Sequence, residues 1–266
     1  MKATVFLGGG RITSALVAGL RLAGYEHPIV VHDRHPRNLE DLKRKHRVIV
    51  AEGLAGAIES ADLLIVAVRP DSVRELLKEI REHQPPRRLT AVSLAAGIPL
   101  SRLQATLGLP MRWVRAMPSP VCRSGCGLTG LTLGRGLSAS ERARVRNLFA
   151  SVGAVVEIPE KQFDAFTVTY SSSHGYHALT ALAGAAESVG LDHKTALMAA
   201  AHALADGIAA WRTGNLPLDK LLKEAATPGG IAEGVMAALD HAGYRRIVKN
   251  GLRAGMRRAR KNVTRV

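Results

Sequence analysis

Residues 3–13 read ATVFLGGGRIT, a short apolar run followed by three consecutive glycines. Residues 14–22 then carry apolar side chains at helical spacing, and residues 29–34 read IVVHDR, a second apolar run that ends on an acid and an arginine. The order of strand, glycine-rich turn, helix and strand predicts the opening βαβ unit of a dinucleotide-binding fold. A glycine turn without a ligand is the alternative.

Each position of this turn has a role in the prediction. Gly8 bends the chain sharply, and at Gly10 a Cβ would keep the backbone away from a pyrophosphate. The amides of Arg11, Ile12 and Thr13 open the following helix, and a helix N-terminus favours an anion. Thr13 stands where the pattern usually has a third small residue, Gly or Ala.

The end of the second strand bears on the choice of nicotinamide cofactor. Asp33 would accept a hydrogen bond from a ribose 2′-hydroxyl and would repel a 2′-phosphate. Arg34, His35 and Arg37 follow it and could clamp that phosphate instead. Three cationic or potentially cationic groups against one acid favour NADP, with NAD still usable.

Apolar runs alternate with helical segments as far as residue 158, which predicts a doubly wound parallel sheet. Ligands of such sheets bind outside the carboxyl ends of the strands. Further residues expected to contact the cofactor there are Ala67, Val68, Arg69 and Pro70 after the fourth strand and Ala96 after the fifth. Their small size could instead serve only tight helix packing.

The pattern changes near residue 160. Residues 178–189 and 195–211 are rich in Ala and apolar around most of their circumference, so helices there need burial on every side. Association of subunits would supply that burial. The sequence therefore predicts a Rossmann-type domain over residues 1–160 and an all-helical dimerisation and substrate domain over residues 161–266.

Composition excludes several classes of protein. The net charge of +15 raises nucleic acid as a partner, but much of the excess lies between Arg245 and Val266 without interleaved aromatic residues, so a solvated basic surface is favoured. The N-terminus leaves no room for a signal peptide, and no stretch predicts a membrane span. Cys122 and Cys126, the only cysteines, lack partners for a zinc site, and their spacing is not that of a redox C-x-x-C pair. A cytoplasmic protein with free thiols and without a metal site is expected.

A second glycine motif, TPGGI, occupies residues 227–231. Thr227 is predicted to cap a helix, with Pro228 in its first turn. Because two glycines cost helix stability, we expect something to approach the amides of Gly229, Gly230 and Ile231 closely, and a carboxylate is the obvious candidate. A simple helix start is the alternative.

Taken together, these motifs resemble pyrroline-5-carboxylate reductase along the full length of the chain. The matching stretches are the glycine turn at 8–13, AVRP at 67–70, SLAAGI at 93–98, RAMP at 115–118, GLT at 127–129, DA at 164–165, Tyr176, and TPGG at 227–230. The resemblance implies a nucleotide-binding domain followed by a helical domain that interlocks with a partner in a homodimer or higher homo-oligomer. It also implies that NAD(P)H binds at the glycine turn and that a cyclic imine is reduced.

Departures from the family pattern concentrate where the family binds substrate. Residues 117–121 read MPSPV and residues 170–176 read YSSSHGY, unlike the family's MPNTP and SGSGPAY. The second threonine of the family's SPGGTT motif, whose hydroxyl meets the imine nitrogen in family members, is Ala232 here. Hydride addition to a neutral imine needs a proton donor, and Tyr170 and His174 are the candidate replacements. A packing role is the alternative for each.

The sequence therefore predicts an NAD(P)H-dependent reductase acting on a small imino acid, by resemblance converting 1-pyrroline-5-carboxylate to L-proline. The residues expected to bind substrate are Thr227, Gly229, Gly230, Ile231 and Ala232. Two other hypotheses stay open, a divergent paralogue that reduces a different imine and a non-catalytic NAD(P)-binding protein with a basic C-terminus.

Overall fold

The computed structural model describes residues 2–83 and 88–263. Strands and helices alternate through its first part. The strands are β1 (Ala3–Leu7), β2 (Ile29–His32), β3 (Ile49–Val50), β4 (Ala61–Val66), β5 (Leu89–Ser93), β6 (Met111–Met117), β7 (Leu128–Leu133) and β8 (Ala154–Glu157). The helices among them are α1 (Arg11–Leu22), α2 (Pro36–His46), α3 (Leu54–Ser60), α4 (Val73–Glu82), α5 (Leu100–Thr106) and α6 (Ala139–Ala150).

The eight strands form one sheet in the order β3-β2-β1-β4-β5-β6-β7-β8. The predicted doubly wound, Rossmann-type architecture is confirmed, but the sheet is not wholly parallel because β7 runs antiparallel to β6. The reason is the connection between them, residues 118–127, which holds only the short 3-10 turn Pro120–Ser124. A parallel crossover takes about a dozen residues or more, usually as a helix.

The core lies on both faces of this sheet. Alternate residues of β1 enter two different apolar clusters, with Val5 and Leu7 in one and Phe6 in the other. Such alternation follows from the two-residue period of a strand. The continuous apolar run of β4 is buried from Leu63 to Val66 because helices cover both sides.

The second part of the described chain contains helices alone, as predicted. They are α7 (Glu160–Thr169), α8 (Ser172–Ser188), α9 (His193–Thr213), α10 (Leu218–Ala225), α11 (Ile231–His241) and α12 (Tyr244–Val263). None of the helices within residues 2–83 and 88–263 is both long and apolar enough to cross a bilayer.

The chain divides into two compact units. We call them the sheet unit, Met1–Tyr170 with Ala254–Val266, and the helical unit, Ser171–Arg253. The predicted boundary near residue 160 falls at the start of α7, whereas the sheet unit also takes in α7 and the last turns of α12. The predicted outer limits of the two domains, Met1 and Val266, lie outside the described residues.

Helix α7 is held in the sheet unit by a buried cation. The guanidinium of Arg115 on β6, only 1% exposed, donates to Glu160 Oε1 at 2.9 Å and to Asp164 Oδ1 at 2.6 Å. It also lies 4.4 Å from the centre of the Phe163 ring. Removing one partner of such a buried pair leaves the other charge buried without a partner. The free-energy cost of that change exceeds the net stabilisation that the intact pair provides.

Candidate functional site

Four strand ends lie side by side at one edge of the sheet. Leu7 at the end of β1 is paired with His32 of β2 on one side and with Val66 of β4 on the other, and Val66 is paired with Ser93 of β5. The loops that follow these strands therefore emerge at the same level. The strand order reverses at β1, and ligands of open α/β sheets bind at that point.

The glycine turn after β1 has the geometry that its sequence requires. Gly8 has φ +107°, and a Cβ on it would lie 2.7 Å from the carbonyl oxygen of Ala67. The Gly8 amide donates to His32 O at 2.8 Å, and the Thr13 hydroxyl donates to Gly8 O at 2.5 Å. Thr13 therefore closes the turn through its hydroxyl. The sequence pattern, in which Thr13 only replaced the usual small residue, did not predict this role.

Helix α1 begins beside this turn with an unencumbered N-terminus. Its N-cap is Gly10, with φ −74°, and among the described residues no heavy atom lies within 4 Å of the place a Cβ would take. The amides of Arg11 and Ile12 open the helix there. This glycine-lined cradle fits a diphosphate, because the first amides of a helix and the positive end of its dipole both favour an anion.

Asp33 braces the turn from the end of β2. Its Oδ2 accepts from the Gly9 amide at 2.5 Å, and its Oδ1 accepts from the His35 amide at 2.7 Å. Burial alone would raise the pKa of this carboxyl, but the N–H donors of Gly9 and His35 outweigh it, so the pKa lies below its ordinary value. The contact of Asp33 with a ribose stays a prediction, and its bond to Gly9 is an additional role.

Arg34, the predicted phosphate clamp, already has two carboxylate partners. Its guanidinium donates to Glu75 Oε2 at 3.1 Å and to Glu79 Oε1 at 2.7 Å, both on α4. The hydrogen bond that Arg34 donates to Glu75 raises the pKa of Arg34. The side chain is 52% exposed, so it is accessible, but a 2′-phosphate would compete with both glutamates for it.

The segment after β4 forms a wall against the glycine turn. Ala67 donates its amide to Leu7 O at 2.8 Å, and Val68 Cγ1 lies 3.3 Å from the Cβ position of Gly8. Arg69 precedes Pro70, which begins a 3-10 turn. Ala67 and Val68 therefore meet the predicted cofactor turn, Arg69 and Pro70 continue the same segment, and Ala96 follows β5 at the same edge. Their contacts with a cofactor stay predictions.

Tyr170 lies in the sheet unit and has a clear packing role. Its phenol oxygen accepts from the Leu128 amide at 2.6 Å, and its ring lies 5.4 Å from the ring of Phe166. It therefore anchors the start of β7. His174 lies in the helical unit, in the first turn of α8, and is exposed. A proton-donating role for either residue stays a prediction.

The TPGG motif differs from its predicted local structure. Helix α11 begins at Ile231 with Gly230 as N-cap, so the prediction that Thr227 caps it is wrong. Instead Gly230 donates its amide to Thr227 O at 2.8 Å, and Gly229 has φ +74°. Pro at the second position and Gly at the third are the residues that a type II turn prefers, which explains the late helix start.

A carboxylate of the chain itself reaches the predicted anion site. Glu233 Oε2 accepts from the Gly229 amide at 2.6 Å. A substrate carboxylate would have to displace Glu233 from this amide, and its binding there stays a prediction. Ala232 occupies the second position of α11 and brings a methyl group there.

Residues missed by sequence reasoning include the two glutamates of α4 and Asn262 near the end of α12. The glutamates stand four residues apart, a spacing that places them on one helix face, but nothing local points to Arg34. Asn262 contacts Ala96 across 166 positions of sequence.

In comparisons with known proteins, two family models match two separate parts of the chain. A family model described as "NADP oxidoreductase coenzyme F420-dependent" matches residues 4–97. A second model, described as "Pyrroline-5-carboxylate reductase dimerisation", matches residues 160–262.

Individual relatives match over nearly the whole chain. A pyrroline-5-carboxylate reductase from Corynebacterium melassecola is 31% identical over 255 residues, spanning 92% of this chain and 93% of the relative. One from Methanosarcina acetivorans is 30% identical over 253 residues, spanning 93% of each. A crystal structure of Plasmodium falciparum pyrroline carboxylate reductase with NADP bound superposes with a TM-score of 0.87 at 20% identity, covering 98% of both chains.

Proposed function

Because this chain belongs to the pyrroline-5-carboxylate reductase family, we propose that it reduces 1-pyrroline-5-carboxylate to L-proline with NADPH. The protein is an NAD(P)H-dependent oxidoreductase acting on a carbon–nitrogen double bond, and NADP is its cofactor. The observation that carries the proposal is the similarity to named reductases over more than nine-tenths of both chains, at 30% identity for the Methanosarcina acetivorans enzyme.

The cofactor is assigned to the edge of the sheet where β1, β2, β4 and β5 end. The amides at Gly10, Arg11 and Ile12 would hold its pyrophosphate, and Arg34 would pair with its 2′-phosphate. Ala67–Pro70 and Ala96 would line the rest of its length. When bound, NADPH supplies a hydride.

The substrate carboxylate is assigned to the turn before α11. The amides at Gly229, Gly230 and Ile231 belong to the backbone, so they persist although the family's threonine hydroxyls are lost. The Glu233 carboxylate competes for the Gly229 amide, at 2.6 Å, and should weaken binding of an imino acid. A bound imine nitrogen then takes its proton from His174 or Tyr170, or from water if neither is in reach.

Two observations favour a second candidate, the reduction of a different imine. Ala232 lacks the hydroxyl that meets the imine nitrogen in family members, and Glu233 already places a carboxylate against Gly229. An iminium ion needs only positioning, since its nitrogen is already protonated, so a more basic imine would tolerate the loss of a donor.

Restoring the family residue tests the proposal. We expect the wild type to bind L-proline weakly and to turn over 1-pyrroline-5-carboxylate slowly. Ala232→Thr should raise kcat with little change in KM, because a positioned donor contributes about 10²–10⁴ in rate. The measurement is NADPH oxidation with a panel of cyclic imines, and Ala237→Thr, an exposed position of the same helix, serves as the matched control.

Three outcomes are distinct. A rise confined to Ala232→Thr and to 1-pyrroline-5-carboxylate supports proline formation. Faster turnover of another imine by the wild type, unaffected or lowered by Ala232→Thr, supports the second candidate. Failure of both proteins to oxidise NADPH with every imine of the panel would refute both.

The assembly and location follow the family as well. A chain with this dimerisation domain is a homo-oligomer. The interlocked homodimer, burying well above about 2,000 Å² as obligate interfaces do, is part of the proposal. So is a cytoplasmic location, for which the free thiols of Cys122 and Cys126 are the supporting observation.

A further inference from the structure

The loop after β5 lies at the far end of the proposed cofactor site. In the sheet, β2 neighbours β1, β1 neighbours β4, and β4 neighbours β5. A dinucleotide with its adenine ribose at Asp33 and its pyrophosphate at the glycine turn therefore extends toward the ends of β4 and β5. The nicotinamide end would lie beside Ala95–Gly97, so the position of this loop matters for that half of the molecule alone.

The end of α12 fixes this loop from outside the sheet. The side-chain amide of Asn262 donates to Ala96 O at 3.1 Å, and Asn262 is only 8% exposed. One turn earlier in the helix, the carbonyl oxygen of Ala259 lies so near the loop that a Cβ on Gly97 would come within 2.4 Å of it. Gly97 also has φ +76°, so its backbone favours glycine independently of that contact.

Other contacts hold the rest of the loop. The Ala95 amide donates to Ser93 Oγ at 3.3 Å. The amide of Leu100, at the start of α5, donates to Glu160 Oε1 at 3.0 Å, and this oxygen also accepts from the buried Arg115. The carbonyl of Ala96 thus stands between two fixed points, and Asn262 determines the orientation of its peptide plane.

Helix α12 packs closely against α7 about two turns before Asn262. A Cβ on Gly255 would lie 3.1 Å from Val168 Cγ1 of α7, so α7 and α12 approach closely. The neighbouring helix positions are basic, among them Arg257, Arg258 and Arg260. The buried position holds a neutral amide, which can satisfy a carbonyl without bringing a charge into the core.

We infer that Asn262 is a positioning residue for the nicotinamide end of NADP, acting through the carbonyl of Ala96. The inference rests on the cofactor placement in the proposed function, but not on the identity of the imine. Its specific consequence is that binding of the two halves of the cofactor should respond differently to a change at Asn262. Loss of the Asn262 bond should loosen contacts with the nicotinamide and leave the adenine end, at Asp33 and Arg34, unchanged.

Binding of two probes to the full-length protein tests this. For Asn262→Ala we expect the Kd of NADPH to rise about tenfold, as for the loss of one hydrogen bond to a partly buried carbonyl. The Kd of 2′,5′-ADP, which lacks the nicotinamide half, should stay within about twofold of wild type. Asn262→Asp should show a larger rise for NADPH, because its carboxylate would face the carbonyl oxygen. Arg260→Ala, an exposed neighbour on α12, is the matched control and should change neither Kd.

Several results would overturn the inference. An unchanged NADPH Kd in Asn262→Ala would do so, and so would an equal loss of affinity for both probes. Failure of both Asn262 variants to fold would also do so, because the contact would then serve the stability of the whole fold. Gly97→Ala provides an independent check, since its Cβ would press the same loop against Ala259 and should also weaken NADPH more than 2′,5′-ADP. Because no imine is present, failure of the proposed reaction would leave this result intact.

Discussion

The sheet unit and the helical unit differ in how far their large apolar side chains are buried. In the sheet unit, Trp113, Phe149 and Phe163 are at most 1% exposed. In the helical unit the buried apolar residues, among those described, are Ala183, Ala196 and Ala200, while Ile208 is 57% exposed and Trp211 46%. The first unit completes its own core within one chain, and the second does not.

The exposed residues of the helical unit are arranged rather than scattered. One face of α9 carries the exposed side chains of Leu197, Ile208 and Trp211 and, between the first two, the half-buried Leu204, at successive spacings of seven, four and three residues. A continuous exposed apolar face marks an interaction surface. The cofactor half can therefore be understood from one chain, whereas the exposed face of the helical half is expected to pack on a second copy, in line with its match to a dimerisation family.

The largest expected effect would break the association of the helical unit. Ile208→Asp should shift the protein from dimer to monomer, raising the dimer Kd about 30-fold or more, because a charge would be buried without a partner. Light scattering across a concentration series measures this. Arg212→Glu, an exposed charge change on the same helix, should behave as wild type. A folded wild-type monomer at micromolar concentration would contradict the expected interface.

The next effect separates folding from cofactor binding in the sheet unit. Gly8→Ala should lower stability by about 2 kcal/mol or more and abolish NADPH binding, since φ is +107° and the Cβ would meet Ala67 O. Gly10→Ala should change stability by less than about 1 kcal/mol, because its Cβ position is open among the described residues. It should nevertheless raise the NADPH Kd at least about tenfold by blocking the pyrophosphate. Thermal unfolding and titration of each variant distinguish the two effects, and normal NADPH binding by Gly10→Ala would place the cofactor elsewhere.

A smaller effect concerns the partners of Arg34. Glu75→Gln with Glu79→Gln should lower the NADPH Kd about two- to fivefold and leave the NADH Kd unchanged, because exposed ion pairs that compete with the phosphate are removed. Arg34→Ala should raise the NADPH Kd and cancel most of that gain when combined with the glutamate changes. If Arg34→Ala bound NADPH as wild type does, the phosphate assignment would be wrong.

The smallest effect is a pH dependence of the sheet unit alone. Glu141 closes the capping box of α6 with Ser138 and pairs with Arg88, and the hydrogen bond from Arg88 lowers the pKa of Glu141 from 4.5 to about 2. A carboxyl with a lowered pKa stabilises the fold above its ordinary pKa and loses that contribution as pH falls through the lower value. Wild type should therefore exceed Glu141→Gln in Tm at pH 6, and the gap should close between pH 4.5 and about 2. A gap independent of pH would mean that the carboxylate charge does not matter.

Much of the sheet unit could be predicted from sequence because its signals are local. The bounds of β1 and β2 agree with the predicted apolar runs, and the glycine turn has the conformation inferred from Gly8. The start of α11 could not be placed in this way. Thr227 is a residue type that often caps helices, but the adjacent Pro228 and Gly229 favour a turn. The helix therefore begins after that turn, with Gly230 rather than Thr227 as its N-cap.

The sequence by itself determined which residue types stand at each strand end, because periodicity and glycine placement act over a few neighbouring residues. Only the tertiary structure decided which of them meet. Arg34 faces Glu75 and Glu79, Asp33 supports Gly9, and Asn262 holds Ala96 across 166 positions. Such contacts depend on how the whole chain closes on itself, and local preferences carry no information about a partner that far away in sequence.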